Sequence, residues 1–196
     1  CFKKDILNLV YLSNYFGLKE VGDFWESVVN LNSWHQHRIS KLILKKLFGT
    51  VSNKKICILG FAFKANTNDT RESPAIYIAK DLLEEGANLV IHDPKVDKKQ
   101  IEFELGIEAN CTSIEKNNIF SQTKRQNNWQ YSNSIDNAIE NADAVVIITN
   151  WSEYRKLNWK KLFKKMRKPA WLFDTRSQIN INDIKNIGIN IWQIGT

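Results

Sequence analysis

Cys1-Phe2-Lys3-Lys4-Asp5 opens the chain and sets a thiol beside two cations and a carboxylate. A thiol at the start of a helix meets the positive end of the helix dipole, and the lysines add to that field. Both effects pull a cysteine below its free pKa of about 8.5 and favour the thiolate. Asp5 lies four residues on, hence on the same helix face, where a carboxylate can orient a water. Against this, the first residue of a chain fragment usually has no catalytic role. A second set of charges follows Gly60-Phe61-Ala62-Phe63: Lys64 and Arg71 share one polar loop, and Arg176 follows Asp174. Arg offers a planar fork and Lys a point charge, both suited to phosphate oxygens. By residue type alone Lys64 and Arg71 are more often surface cations than ligands, and Arg176 is equally half of a local pair with Asp174. Cys57 sits in an apolar run and reads as a core residue; Cys111 lies at a loop edge with no evident base beside it. His35 and His37 are two apart and share no helix face, so no metal site is expected.

The elements that must carry these residues follow from apolar spacing. Residues 1 to about 50 read as helical, broken at Gly17, with one long amphipathic helix ending near Gly49. At 1.5 Å per residue that helix runs about 40 Å, more than a small domain can cover, so it is expected to bridge domains or join a second subunit. From residue 53 to 196 the pattern alternates between strands and helices. Lys55–Gly60, Leu89–His92, Ala144–Thr149, Ala170–Phe173 and Ile189–Ile194 read as strands. Ser73 caps a helix that starts at Pro74 and stops before Gly86; a second helix spans Leu157–Lys168. Residues 112–133 read as a polar surface loop. The fold class is therefore α/β, long N-terminal helices followed by a Rossmann-like doubly wound parallel sheet.

Such a sheet invites a dinucleotide. Gly60 ends one strand and Asp93 the next, as a ribose-binding acid would. Yet the loop Gly60-Phe61-Ala62-Phe63 lacks the G-x-G-x-x-G spacing, and its phenylalanines fill the space a pyrophosphate needs. The expectation is a Rossmann-like sheet turned to another ligand, with Phe63, Lys64, Arg71 and Arg176 gathered at the carboxyl ends of the strands.

The chain has 196 residues, a net charge of +7 and three cysteines at wide spacing. An odd, scattered set of cysteines fits a reducing compartment, and a cytoplasmic protein is expected. No stretch approaches the roughly 18 apolar residues of a membrane span. Much of the positive excess lies in Lys156, Lys160, Lys161, Lys164, Lys165, Arg167 and Lys168. No nucleic-acid motif accompanies that run, so a solvated helix face is expected rather than nucleic-acid binding. The chain begins at Cys1 and its only methionine is Met166, which reads as a piece of a longer protein.

Cys1-Phe2-Lys3-Lys4-Asp5-Ile6-Leu7-Asn8-Leu9-Val10-Tyr11 resembles the catalytic-cysteine segment of the animal-type UDP-glucose 6-dehydrogenases, in the UDP-glucose/GDP-mannose dehydrogenase family. Gly60-Phe61-Ala62-Phe63-Lys64, Asp69-Thr70-Arg71-Glu72-Ser73, Asp93-Pro94-Lys95-Val96 and Phe173-Asp174 with Arg176 match in the same order. The resemblance runs from residue 1 to about 194 and is weakest over 97–133. It implies the C-terminal half of an enzyme that oxidises UDP-glucose to UDP-glucuronate with two NAD. Cys1 would be the nucleophile, holding the substrate as a thiohemiacetal and then a thioester, and Asp5 would organise the hydrolytic water. Cys1, Phe2, Lys3, Lys4 and Arg71 would contact NAD; Phe63, Lys64 and Arg176 would hold the UDP-sugar. A homo-oligomer built on the long helix is expected. The NAD-binding domain is absent from this chain, so the chain alone is expected to be inactive. Lys3 stands where animal enzymes usually have glutamine, and Ala65-Asn66-Thr67-Asn68 is more neutral than the usual Lys-Asp-Thr-Gly. Other readings are a dehydrogenase of GDP-mannose or UDP-N-acetylmannosamine, and a non-catalytic nucleotide-binding oligomerisation module.

Overall fold

Strand β1 (Lys55–Leu59) carries Ile56, Cys57, Ile58 and Leu59 wholly buried, the pattern of a strand covered on both faces. It is central to the sheet. The computed structural model describes residues 2–109 and 128–195. The chain divides into two compact units, Cys1–Ile43 and Leu44–Thr196.

In the first unit, α1 (Phe2–Tyr15) and α2 (Lys19–Lys46, which runs on into the second unit) are joined by a turn at Gly17, where φ is +75°. The turn is closed by the Leu18 N–H donating to the Ser13 carbonyl at 2.8 Å. Gly22 lets the helices approach: a Cβ there would stand 2.5 Å from Oδ1 of Asn14.

Among the described residues of the second unit, six parallel strands lie in the order β3-β2-β1-β4-β5-β6. Besides β1 they are β2 (Asn88–His92), β3 (Trp129–Tyr131), β4 (Ala144–Ile147), β5 (Trp171–Asp174) and β6 (Asn190–Gln193). Cys57 pairs with Val90 on one side and Val145 on the other, at the middle of the core. The chain reverses its direction of travel across the sheet between β1 and β4, the topological switch point. Helix α3 (Pro74–Glu84) follows β1, and α4 (Lys98–Leu105) follows β2 and packs on α3. Helix α5 (Ile135–Ile139) packs on β1 and β2, and α7 (Trp159–Lys165) packs on α5. Short helices α6 (Ser152–Arg155) and α8 (Ile181–Ile184) complete the fold. By the right-handed rule for parallel crossovers, the helices before the switch point belong to one face and those after it to the other. The Ser73 side chain accepts the Ala75 N–H to start α3, and Asp97 accepts that of Gln100 to start α4.

The polar loop expected over 112–133 contains a strand at its end. Residues Trp129–Tyr131 form β3 and pair with Leu89–Ile91. A three-residue edge strand offers no period to read, and its anchor is one residue: Trp129 is fully buried and its indole donates to the Ile107 carbonyl at 3.0 Å. Residues 110–127, with Cys111, lie outside the described residues. Helix α7 is shorter than the expected Leu157–Lys168: Asn158 caps its start, and residues before Pro169 are biased out of helical geometry.

The basic run is largely tied into the fold. Lys161 and Lys165 flank Asp136 at 3.4 and 2.6 Å, and Arg167 meets Asp143 at 3.6 Å. Lys168 caps α7 through the Phe163 and Met166 carbonyls and lies 3.8 Å over the Phe163 ring.

Candidate functional site

The carboxyl edge of the sheet is organised by Asp93, just past β2 and 2% exposed. Its Oδ2 accepts the Phe61 and Ala62 N–H groups at 2.7 and 3.0 Å and the Trp151 indole at 3.1 Å. Its Oδ1 accepts the N–H groups of Lys95 and Val96 at 2.8 and 3.0 Å. Five donors saturate a carboxylate, which leaves no acceptor for a ribose hydroxyl. Asp93 therefore fixes the loop after β1 rather than a ligand. The switch point is closed in the same way. A Cβ on Gly60 would stand 2.5 Å from Cβ and 2.7 Å from the backbone N of Thr149. Thr149 Oγ1 donates to the Ala62 carbonyl at 2.6 Å. The space and the free N–H groups that a dinucleotide pyrophosphate needs at this turn are taken, so the residues of this sheet do not fit NAD at its own switch point.

Beyond that closed turn, Phe63 and Lys64 follow the carboxyl end of β1, and Arg176 follows that of β5. Phe63 and Lys64 emerge, both exposed, directly from the fixed segment Phe61–Ala62. Arg176 leaves the end of β5, where Asp174 is buried and accepts the backbone N–H groups of Arg176 and Ile179 and the Gln193 amide. The Arg176 guanidinium is not spent on Asp174. Its Nε donates to the Ile148 carbonyl at 2.5 Å, at the end of β4. Partial burial lowers the Arg176 pKa from its ordinary value, and an arginine remains charged nonetheless. Gln178 donates to the Thr149 carbonyl at 3.3 Å, so the ends of β1, β4 and β5 are stitched into one surface.

The loop from Phe63 to Arg71 is pinned at several points. The Phe63 N–H donates to the Asp69 carbonyl at 2.8 Å. Thr70 is buried; its hydroxyl donates to Glu104 at 2.5 Å and accepts from Gln100 at 3.0 Å. Gln100 also donates to the Asn68 carbonyl at 2.8 Å. Arg71 is held by Asp69, Nε to Oδ1 at 2.9 Å and Nη2 to Oδ2 at 2.8 Å, with its side chain 84% exposed. The hydrogen bonds from Arg71 hold the Asp69 carboxyl down at about 2. An open groove of about 500 Å³ lies between this loop and α4. The sequence alone did not point to Asp69, Gln100 or Glu104; the sole signal was an Asp two residues before an Arg.

Beneath the edge, His92 Nδ1 and the Tyr154 hydroxyl are 3.0 Å apart, and that hydroxyl donates to the His92 carbonyl at 3.1 Å. Burial lowers the His92 pKa, with the charge of Asp93 opposing it. Burial pushes the Cys57 thiol up to about 12, in keeping with a core residue and not a nucleophile.

In the first unit, Phe2, Lys3, Lys4 and Asp5 form the opening turn of α1. Phe2, Lys4 and Asp5 are exposed, and Asp5 is the acid favoured by the helix dipole there. Cys1 lies outside the described residues. Among the described residues no group of three or more His, Cys, Asp or Glu could hold a metal ion, and no helix is long and apolar enough to cross a membrane.

Residues 57–181, from β1 to the start of α8, match the model of the UDP-glucose/GDP-mannose dehydrogenase family, UDP binding domain, and the chain belongs to this family. Over its whole length it is 42% identical to the UDP-glucose 6-dehydrogenase of Gallus gallus and 38% identical to UDP-glucose 6-dehydrogenase 4 of Arabidopsis thaliana. It spans 38% and 41% of those two proteins, the C-terminal part of each. Among solved structures it superposes on a UDP-glucose dehydrogenase from the archaeon Pyrobaculum islandicum with a TM-score of 0.64. That match covers 98% of this chain and 36% of the archaeal one at 21% identity, a likeness of fold.

Proposed function

We propose that this chain is the UDP-sugar-binding part of an NAD-dependent dehydrogenase that oxidises UDP-glucose to UDP-glucuronate. The observation that carries the reading is identity of 38–42% across the whole chain to proteins named for that activity. The geometry is consistent with it. Lys64 and Arg176 would meet the diphosphate from two sides of the stitched edge, and Phe63 would pack on the nucleotide sugar. Both cations issue from strand ends that buried aspartates hold rigid, so little side-chain or loop order is lost on binding.

In this reading Phe2, Lys3 and Lys4 border the nicotinamide and Arg71 meets the dinucleotide. NAD, when bound, accepts the hydride of each oxidation. The Cys1 thiolate holds the substrate carbon between the two oxidations, and Asp5 orients the water that releases the acid. A homo-oligomer through the long helix is supported by the apolar side chains that α1 and α2 leave exposed, among them Tyr15, Phe24 and Leu31. A cytoplasmic location is supported by three widely spaced cysteines.

The test is NADH formation by the whole protein that carries this chain, offered UDP-glucose, GDP-mannose or UDP-N-acetylmannosamine, beside Cys1→Ala. Two NADH per UDP-glucose, lost in the variant, is the expected result. Turnover of another sugar nucleotide instead would keep the chemistry and replace the substrate. No turnover with any would leave a nucleotide-binding oligomerisation module.

A further inference from the structure

We propose that Asp69 is a positioning residue for Arg71, holding its guanidinium by the Nε and Nη2 edge so that the Nη1 side faces a dinucleotide phosphate. The inference rests on the reading above, which gives Arg71 to NAD.

Arg71 has a long, flexible side chain that is 84% exposed, and a free arginine there would sample many rotamers. Instead its Nε and Nη2 donate to the two oxygens of one carboxylate at 2.9 and 2.8 Å, while its own N–H donates to Oδ1 at 3.0 Å. Two of the five guanidinium hydrogens are thereby fixed, and those on Nη1 and the second on Nη2 remain for an anionic oxygen. The backbone that carries the carboxylate is pinned. The Asp69 carbonyl accepts from Phe63, its N–H donates to Thr67 Oγ1 at 3.1 Å, and its neighbour Thr70 is locked to Glu104 and Gln100 of α4. With the Asp69 carboxyl held at about 2, the pair is intact throughout the neutral range.

The alternative role is a counter-charge, and the two roles predict opposite signs. Removing the carboxylate makes the site more positive, so a counter-charge would, once removed, tighten binding of an anionic dinucleotide. A positioning residue would, once removed, weaken it. The whole protein carrying this chain is compared with Asp69→Ala, Arg71→Ala and the double variant, with NAD dissociation constants from calorimetric titration beside Michaelis constants for NAD and UDP-glucose. The expected result is an NAD constant raised about five- to tenfold by Asp69→Ala, a UDP-glucose constant within about twofold, and a double variant no worse than Arg71→Ala. An NAD constant that is unchanged or lowered by Asp69→Ala, while Arg71→Ala raises it, overturns the proposal. An NAD constant unmoved by Arg71→Ala overturns the assignment of Arg71 itself. Should Asp69→Ala fail to fold, the isosteric Asp69→Asn reads the same comparison.

Discussion

Gly60 and Thr149 approach so closely that a single added methyl on the glycine would stand 2.5 Å from the threonine Cβ. The glycine also has φ of +94°, a conformation L side chains resist. Gly60→Ala is expected to lower the stability of the chain by about 2–3 kcal/mol, from strain and overpacking together. Because this contact closes the edge that carries Phe63 and Lys64, UDP affinity should fall as well. Urea unfolding followed by tryptophan fluorescence, beside calorimetric titration with UDP, checks both; an unchanged midpoint would show that the loop yields without cost.

Asp93 gathers five donors in a buried place. Asp93→Asn keeps the shape but swaps one acceptor for a donor, which must then face N–H groups. A loss of about 3 kcal/mol is expected, the size of broken charge-assisted bonds with unsatisfied partners. Were Asp93 a ligand residue, the variant would lose affinity and keep its unfolding midpoint.

His92 makes the fold sensitive to acid. Its pKa lies below the ordinary 6.5 because burial disfavours the charged ring. Below pH 6.5 the unfolded chain takes up a proton that the folded chain refuses, so stability is full above that value and falls as the pH drops toward the folded pKa. The slope from this one group can reach about 1.4 kcal/mol per pH unit. Unfolding free energies measured between pH 7.5 and 5 should show this decline, and His92→Gln should flatten it.

Cys57, buried with its thiol raised to about 12, should resist iodoacetamide in the folded chain at pH 8 and react after unfolding. Peptide mapping of the alkylated protein distinguishes it from Cys1 and Cys111. Labelling of Cys57 at the rate of a free thiol would contradict the closed core.

Much of this architecture was legible because long buried strands write apolar runs. Five of the six strands among the described residues, Ser73 as a cap, and the places of Lys64 and Arg176 just beyond the ends of β1 and β5 follow from apolar runs and capping chemistry. What escaped had no local signature. The one buried side chain of strand β3 is Trp129, and a tryptophan in a polar stretch looks the same whether it is buried or free. Asp93 at a strand end suits a ribose acid and a loop hub equally; only the donors around it decide. The pairing of Asp69 with Arg71 depends on a turn, since residues two apart do not meet on a helix. The partners on α4 come from some thirty residues further along the chain.

The hydrogen bond between the Trp129 indole and the Ile107 carbonyl joins residues 22 apart in sequence, so the edge strand β3 is buttoned to the chain just after α4 as well as laddered to β2. A strand of three residues is thereby fixed by one side chain, whose ring fills the core while its N–H reaches a second segment of backbone.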